Sequence, residues 1–134
     1  LLGQAWRLFP AGTTHLAVVD PGVGTERRAL LVRSKGHWFL APDNGLLTFG
    51  LPSEQTIGQF QPYSEDVPDG FQAYALTNQR YWWQLVSNTF HGRDIFAPVA
   101  AHLSLGVAPE ELGESVDTLT RLAVPAPQWQ GDTL

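Results

Sequence analysis

Short apolar segments separated by turn residues constrain the fold of this 134-residue chain more than any other feature of its sequence. Thr14–Asp20 is apolar and rich in β-branched residues, and the loop sequence PGVG follows it at once. Arg28–Ser34 and His37–Ala41 are two further apolar runs, joined by a Lys-Gly connection. Runs of this length bounded by turn residues are typical of β-strands, and the last two predict a hairpin.

Helical patterns are strongest in the second half of the chain. The apolar residues of 95–103 recur at helical spacing, and Pro98 is tolerated only in a first turn, so a helix is predicted from near Ala97 to Gly106. Loops are predicted for Thr89–Arg93 and for the Pro-rich, acidic residues 51–71, apart from one strand near Thr56–Phe60. Other predicted elements are short helices over Leu2–Phe9, Gly45–Phe49 and Val107–Gly113 and a strand over Phe71–Leu76. Strands mixed with helices through short loops predict an α/β layered domain.

The composition excludes several kinds of protein. Apolar residues make up 43% of the chain and charged residues 16%, which is enough apolar material for a folded core. A net charge of -5 provides no basic surface for nucleic acid or an anionic membrane, so neither partner is expected. The absence of cysteine excludes disulfides, thiolate metal sites and a cysteine nucleophile.

The two ends of the sequence suggest a longer parent protein. The chain has no methionine and begins Leu1-Leu2, so we expect it to be an internal piece of that protein. Residues 1–122 are interpreted as part of one domain, and the Pro-rich residues 123–134 as a linker toward a further domain. No apolar run approaches the roughly 20 residues of a transmembrane helix, and no signal-peptide layout is present, so a cytoplasmic location is expected.

Asp20, Arg27 and His91 are the residues most suited to chemistry. All three lie in predicted loops, where sites in α/β sheets form. Asp20 ends an apolar run beside a Gly-rich turn, and Arg27 can fold back to keep its carboxylate ionised. His91 stands beside Gly92 with the access that a general base, metal ligand or pH-sensitive group needs. A turn-capping Asp, a surface Arg and a structural His are the alternatives.

Other chemistries leave weaker signals in the sequence. A metal site would require Asp20, Asp43, His91 and Asp94 to converge from separate loops. The glycines of residues 22–24 match neither common phosphate-binding pattern, and no GxSxG serine motif is present.

Three segments together resemble one enzyme family. They are FPAGTTHLAVVDPGVGTERR (9–28), APDNGLL (41–47) and SNTFHGRDIFAPVAAHL (87–103), in this order. They resemble the S-adenosylmethionine hydroxide adenosyltransferases, also called S-adenosylmethionine (SAM) hydrolases, which are related to the fluorinases and chlorinases. The resemblance extends from about Phe9 to Leu122, and the third segment is long enough to be specific.

This resemblance implies a subunit of two domains. A Rossmann-like α/β sandwich is followed by a small β-barrel, and SAM binds between the first domain of one subunit and the second domain of its neighbour in a homotrimer. The chain then corresponds to the later part of the N-terminal domain, without the family's opening strand and without the barrel. On its own it is therefore expected to be inactive.

The resemblance also implies roles for individual residues. The family's catalytic Asp, Arg and His fall on Asp20, Arg27 and His91, with the adjacent Arg28 as the alternative arginine. Together they activate water that attacks the ribose C5′ of SAM, which gives adenosine and L-methionine without a metal or another cofactor. Substrate contacts are expected from Thr89, Phe90, Gly92, Asp43 and Asn44.

Two other functions remain open at this point. The related halogenases carry Tyr where Asp20 and His91 stand, and a carboxylate would repel a halide in the same dry pocket, so Asp20 favours water. A non-catalytic SAM- or nucleoside-binding module is the second alternative.

Overall fold

A central five-stranded sheet organises the computed structural model, which describes residues 2–51 and 61–123. Its strand order is β1-β3-β2-β5-β6, and a separate two-stranded ribbon pairs β4 with β7. The strands are β1 Thr14–Leu16, β2 Ala29–Ser34, β3 His37–Pro42, β4 Pro62–Asp66, β5 Gln72–Ala75, β6 Glu114–Ser115 and β7 Thr118–Leu122. The α-helices are α1 Leu2–Ala5, α2 Ala97–Ser104 and α3 Pro109–Leu112. Three 3-10 turns cover Trp6–Leu8, Leu46–Phe49 and Gln79–Tyr81, and a π-helical turn covers Gly92–Phe96.

The predicted hairpin forms the middle of the sheet. β2 pairs antiparallel with β3 from Ala29 opposite Pro42 to Ser34 opposite His37. Lys35 and Gly36 both have positive φ, 48° and 80°, which matches the right-handed twist of a two-residue hairpin turn. β1 runs parallel to β3, whereas β2–β5 and β5–β6 are antiparallel. The mixed α/β class is therefore confirmed.

Apolar side chains cover both faces of the sheet. Alternate residues of β2 point to opposite sides, so Leu30 and Val32 pack in one cluster and Leu31 in the other. The first cluster also contains Trp6, Phe39 and Leu119, and the second contains Phe96 and Val99 of the helical segment. A layered arrangement follows, with α2 on one face of the sheet and the ribbon on the other.

The first strand is shorter than predicted. β1 ends at Leu16 rather than continuing to Asp20, and its last ladder contact is the Ala17 amide donating to the Leu40 carbonyl at 2.9 Å. Beyond that point the Asn44 side-chain amide, not a strand partner, donates to the carbonyl of Val19 at 2.9 Å. Asp20 therefore lies in an extended loop four residues past the strand.

The first strand of the ribbon lies within residues 51–71, where the sequence predicts mostly loop. β4 pairs with β7 from Pro62 opposite Leu122 to Asp66 opposite Thr118, and neither strand was predicted. The alternation of exposed and half-buried side chains in β4 is real, but Pro62 and the acidic residues obscure it in the sequence. The strand predicted near Thr56–Phe60 and the linker over 124–134 lie outside the described residues.

The helix after the TFHGR motif begins earlier than predicted. Helical geometry starts at His91, and the π turn Gly92–Phe96 runs directly into α2, so the predicted loop at Thr89–Arg93 is wrong for its last three residues. Ile95 and Phe96 are buried and anchor this turn against the sheet. The predicted helix near 97–106, the short helices at both ends of the chain and the strand over 72–75 are confirmed. Among the described residues, each helix is too short or too polar to cross a bilayer.

Candidate active site

Asp20, Arg27 and His91 meet at one point of the structure. The Arg27 guanidinium forms an ion pair with the Asp20 carboxylate, and its Nη2 lies 3.3 Å from Nδ1 of His91. The side chains of Arg27 and Asp20 are only 10% and 4% exposed. Arg27 and His91 are 64 positions apart along the chain, so the fold brings this trio together.

Two loops hold the trio in place. The turn after Asp20 is closed by the Val23 amide, which donates to the Asp20 carbonyl at 3.2 Å. Gly24 has a φ of +82°, and a Cβ there would lie 2.7 Å from the carbonyl oxygen of Asn88. Only glycine therefore lets the two loops approach closely enough for Arg27 to reach His91.

The donors and acceptors of the trio are well matched to activation of water. Arg27 can only donate, so Nδ1 of His91 accepts from it, and the neutral imidazole then carries its proton on Nε2. Oδ1 of Asp20 is buried and has no hydrogen-bond partner within 2–51 and 61–123. A buried carboxylate oxygen without a partner beside a cation can accept a hydrogen bond from a donor such as water.

A cavity opens beside Arg27 and His91. Its volume is about 390 Å³, within the usual range for small-molecule sites. Its walls include Thr25, Arg27, Thr77, Gln79, Trp82 and His91. Arg27 and His91 thus border a space that a small molecule or ordered water can enter, and Asp20 adjoins it through its ion pair with Arg27.

Arg27 and Arg28 point to different partners. Nε and Nη2 of Arg28 donate to Oδ2 of Asp43 at 2.8 and 2.6 Å, whereas Arg27 faces Asp20 and His91. Oδ1 of Asp43 accepts from the Thr120 amide at 2.6 Å. Both carboxylate oxygens of Asp43 are therefore engaged in joining the main sheet to the ribbon.

The remaining predicted substrate contacts lie beside His91 in the sequence or next to the segment that carries Asp20. Thr89 and Phe90 are exposed just before His91, and Phe90 is 59% exposed. Gly92 packs against Val18, where a Cβ would lie at ordinary contact distance. Asn44 donates to the carbonyl of Val19 and thereby ties its loop to the segment that carries Asp20.

The four residues of the hypothetical metal site do not converge. Asp43 is paired with Arg28, and Asp94 accepts from the Arg93 guanidinium at 2.6 Å. Within the part of the chain that the structure describes, no three His, Asp, Glu or Cys side chains are grouped closely enough to share a metal ion. Asp94 instead organises the loop before His91, a role that sequence reasoning missed.

Comparison with known proteins identifies the family. The SAM hydroxide adenosyltransferase N-terminal domain matches residues 1–113. The chain belongs to this family. The resemblance of the three sequence segments to the SAM hydroxide adenosyltransferases is thereby confirmed.

Individual relatives agree with this assignment. An (R)-S-adenosyl-L-methionine hydrolase from Salinispora tropica is 43% identical over 134 residues, which cover 98% of this chain and 46% of the relative. A fluorinase from an Actinoplanes species is 28% identical over 146 residues, covering 90% of this chain and 44% of the relative. The chain thus spans about half the length of the curated relatives it matches.

A solved structure has the same fold. The crystal structure of an uncharacterized conserved protein from Thermotoga maritima aligns with a TM-score of 0.65 and 37% sequence identity, over 84% of this chain and 38% of that chain. The mixed sheet and its helices are therefore shared with a protein of similar sequence.

Proposed function

We propose that this chain forms part of an enzyme that hydrolyses SAM to adenosine and L-methionine. The observation that carries the proposal is the contact of Asp20 and His91 with Arg27 beside a cavity. The similarity to (R)-S-adenosyl-L-methionine hydrolases over nearly the whole chain supports the choice of substrate. The proposed site uses Asp20, Arg27 and His91 as catalytic residues.

In the proposed reaction, a water oxygen forms a bond to the ribose C5′ as the C5′–S bond breaks. The electron pair of that bond neutralises the sulfonium, so methionine leaves without needing an acid. The water loses one proton, and Asp20 is the proposed acceptor because its Oδ1 is buried and unpaired among the described residues. Arg27 stabilises the developing hydroxide and holds the Asp20 carboxylate in place through their ion pair, and His91 orients the water through Nε2.

The longer enzyme in this proposal supplies the rest of the substrate site. We propose a Rossmann-like sandwich completed by other strands, a C-terminal β-barrel reached through residues 123–134, a cytoplasmic location and a homotrimer. Direct substrate contacts are assigned to Thr89, Phe90 and Gly92, which are exposed or half-buried beside His91, and to the loop of Asn44. Asp43 supports the fold rather than the substrate, because Arg28 and Thr120 occupy its carboxylate. The chain alone is proposed to be inactive.

Turnover of SAM by the full-length protein tests the function. Adenosine and methionine should form in equal amounts, and EDTA should not change the rate. Loss of activity with EDTA would favour a metal-dependent hydrolase, and binding of SAM without turnover would favour a binding module.

Halogenation is the alternative that the fluorinase relative raises. The same assay with added chloride or fluoride should still give adenosine, because the anionic Asp20 opposes a second anion beside it. Accumulation of a 5′-halogenated adenosine would contradict the proposal.

A further inference from the structure

We propose that Asp94 is a positioning residue that holds His91 against Arg27 through the loop of residues 83–91. The inference rests on the proposed function, since it assigns a further residue to the same site. Asp94 is fully buried, takes no part in the polar contacts that join Asp20, Arg27 and His91, and carries a charge that the mechanism does not use.

The backbone of Asp94 holds the start of this loop. Residue 98 is proline and has no N–H, so the carbonyl of Asp94 lacks the donor that an α-helix would supply four residues later. The amide of Trp83 takes that place and donates to the Asp94 carbonyl at 2.7 Å. The helix and the loop before it are thereby tied together.

The side chain of Asp94 holds the end of the loop. Its Oδ2 accepts from the Ser87 amide at 2.8 Å, and the Ser87 hydroxyl oxygen accepts from the Phe90 amide at 3.0 Å. The carbonyl of Phe90 in turn accepts from the amides of Arg93 and Asp94 at 3.0 and 2.9 Å. These bonds leave little freedom to the backbone on either side of His91.

The charge of Asp94 is compensated from the solvent side. Nε of Arg93 donates to Oδ1 at 2.6 Å, and the guanidinium lies 4.9 Å from the centroid of the Phe90 ring. The hydrogen bond from Arg93, followed by that from the Ser87 amide, holds the pKa of the Asp94 carboxyl well below its usual range. Asp94 therefore remains an acceptor at any physiological pH.

The same loop contacts the Asp20 turn. A Cβ on Gly24 would lie only 2.7 Å from the carbonyl oxygen of Asn88, so the two loops approach closely here. A loop released from Asp94 would shift both this contact and His91, and a displacement of about 1 Å in a catalytic group can cost about 100-fold in rate.

Two variants of the full-length enzyme test the proposal. Asp94→Asn replaces one acceptor oxygen by a donor, and we expect kcat for SAM hydrolysis to fall about 10- to 100-fold with KM changed less than about 3-fold. Ser87→Ala removes only the acceptor for the Phe90 amide, and a smaller loss of kcat is expected.

Glu65→Gln serves as the matched control. It removes the carboxylate that faces the buried Arg121 at 3.3 Å, in the ribbon rather than in the loop of residues 83–91. It should lower thermal stability and leave kcat within about 2-fold. An equal loss of kcat in Glu65→Gln would mean that general destabilisation explains the Asp94 effect, and would overturn the proposal.

A double-mutant cycle separates positioning from a general structural role. In the His91→Asn background, Asp94→Asn should reduce kcat less than about 3-fold further, because the group that it positions is already gone. If Asp94→Asn lowers kcat by the same factor in the His91→Asn background as in the wild type, the proposal is overturned.

Hydrogen exchange provides a readout that does not depend on SAM. The amides of Ser87 and Phe90 should exchange at least about 10-fold faster in Asp94→Asn, whereas the Leu76 amide, which bonds to Ala29, should not change. Wild-type protein that fails to cleave SAM would reject the proposed function, whereas unchanged exchange at Ser87 and Phe90 would reject the role of Asp94.

Discussion

Arg27 is the residue on which the candidate site depends. One guanidinium contacts both Asp20 and His91, and its side chain is nearly buried. Its neighbour Arg28 has the same chemistry but faces Asp43. A bidentate, permanently charged group suits this double contact better than a lysine ammonium would.

Asp20 should matter more to turnover than His91. Asp20→Asn keeps the shape of the side chain and removes the charge that orients and deprotonates water, so kcat should fall by at least about 10²-fold. His91→Asn should cost less, because Nδ1 of His91 is already occupied by Arg27. Both variants should leave KM for SAM nearly unchanged in steady-state kinetics of the full-length enzyme.

The reverse order of effects would assign the base to His91. Near wild-type kcat in Asp20→Asn together with no activity in His91→Asn is the result that contradicts this prediction.

The buried Asp94 should also affect stability in a pH-dependent way. Its carboxyl has a lowered pKa in the folded state, so the folded protein holds fewer protons than the unfolded chain when the pH falls below the normal Asp value. The stabilisation by Asp94 is thus complete above about pH 5 and declines below about pH 4. Urea unfolding of wild type and Asp94→Asn should show a difference in free energy that narrows across this acidic range.

A difference that stays constant from pH 7 to pH 3 would show that the charge of Asp94 does not provide the stabilisation.

At the scale of structural elements, the contact between two loops determines the geometry of the candidate site. The turn after Asp20 and the loop before His91 approach each other at Gly24, next to the carbonyl of Asn88. Neither loop belongs to a sheet ladder or a helix, so this approach sets the distance between Arg27 and His91.

Gly24→Ala should damage activity as well as stability. A side chain at positive φ costs about 1–2 kcal/mol, and the new Cβ would also push the Asn88 carbonyl away. Gly106→Ala is the control, because Gly106 has a φ of +94° but open space around it. We expect both variants to lose stability in thermal unfolding, and only Gly24→Ala to lose more than about 10-fold in kcat. Equal kcat values in the two variants would contradict the role of this contact.

The whole molecule exposes apolar surface next to the candidate site. Leu16, Val19 and Phe90 are 46%, 66% and 59% exposed. A groove of about 470 Å³ is lined by Leu2, Ala5, Ala17, Val19, Leu46 and Phe49. Apolar surface of this kind indicates contact with other protein segments, which fits the proposed longer enzyme.

The isolated chain should therefore be less stable and less soluble than the full-length protein. It should bind the dye ANS, unfold at a lower temperature and aggregate more readily, because its apolar surface is in water. ANS fluorescence and thermal unfolding of both proteins at equal subunit concentration measure this difference. Equal melting temperatures and no dye binding by the isolated chain would contradict the prediction.

Local sequence patterns were sufficient to predict the elements that are stabilised by residues close together in the sequence. The β2–β3 hairpin and α2 follow from apolar periodicity and turn residues within a few positions, and the structure confirms both. The motif around Asp20 and the motif around His91 pointed to the family for the same reason, since each is a continuous string of residues.

Tertiary packing decided the features that join distant residues. The pairing of β4 with β7, the end of β1 at Leu16 and the separate partners of Arg27 and Arg28 depend on contacts across 15 or more positions, which a local pattern does not encode. The organising role of Asp94 was hidden for a related reason. From the sequence alone, an aspartate is interpreted as a surface group or a metal ligand. The structure shows that Asp94 is buried and accepts hydrogen bonds from Ser87 and Arg93, and these contacts give it a structural role.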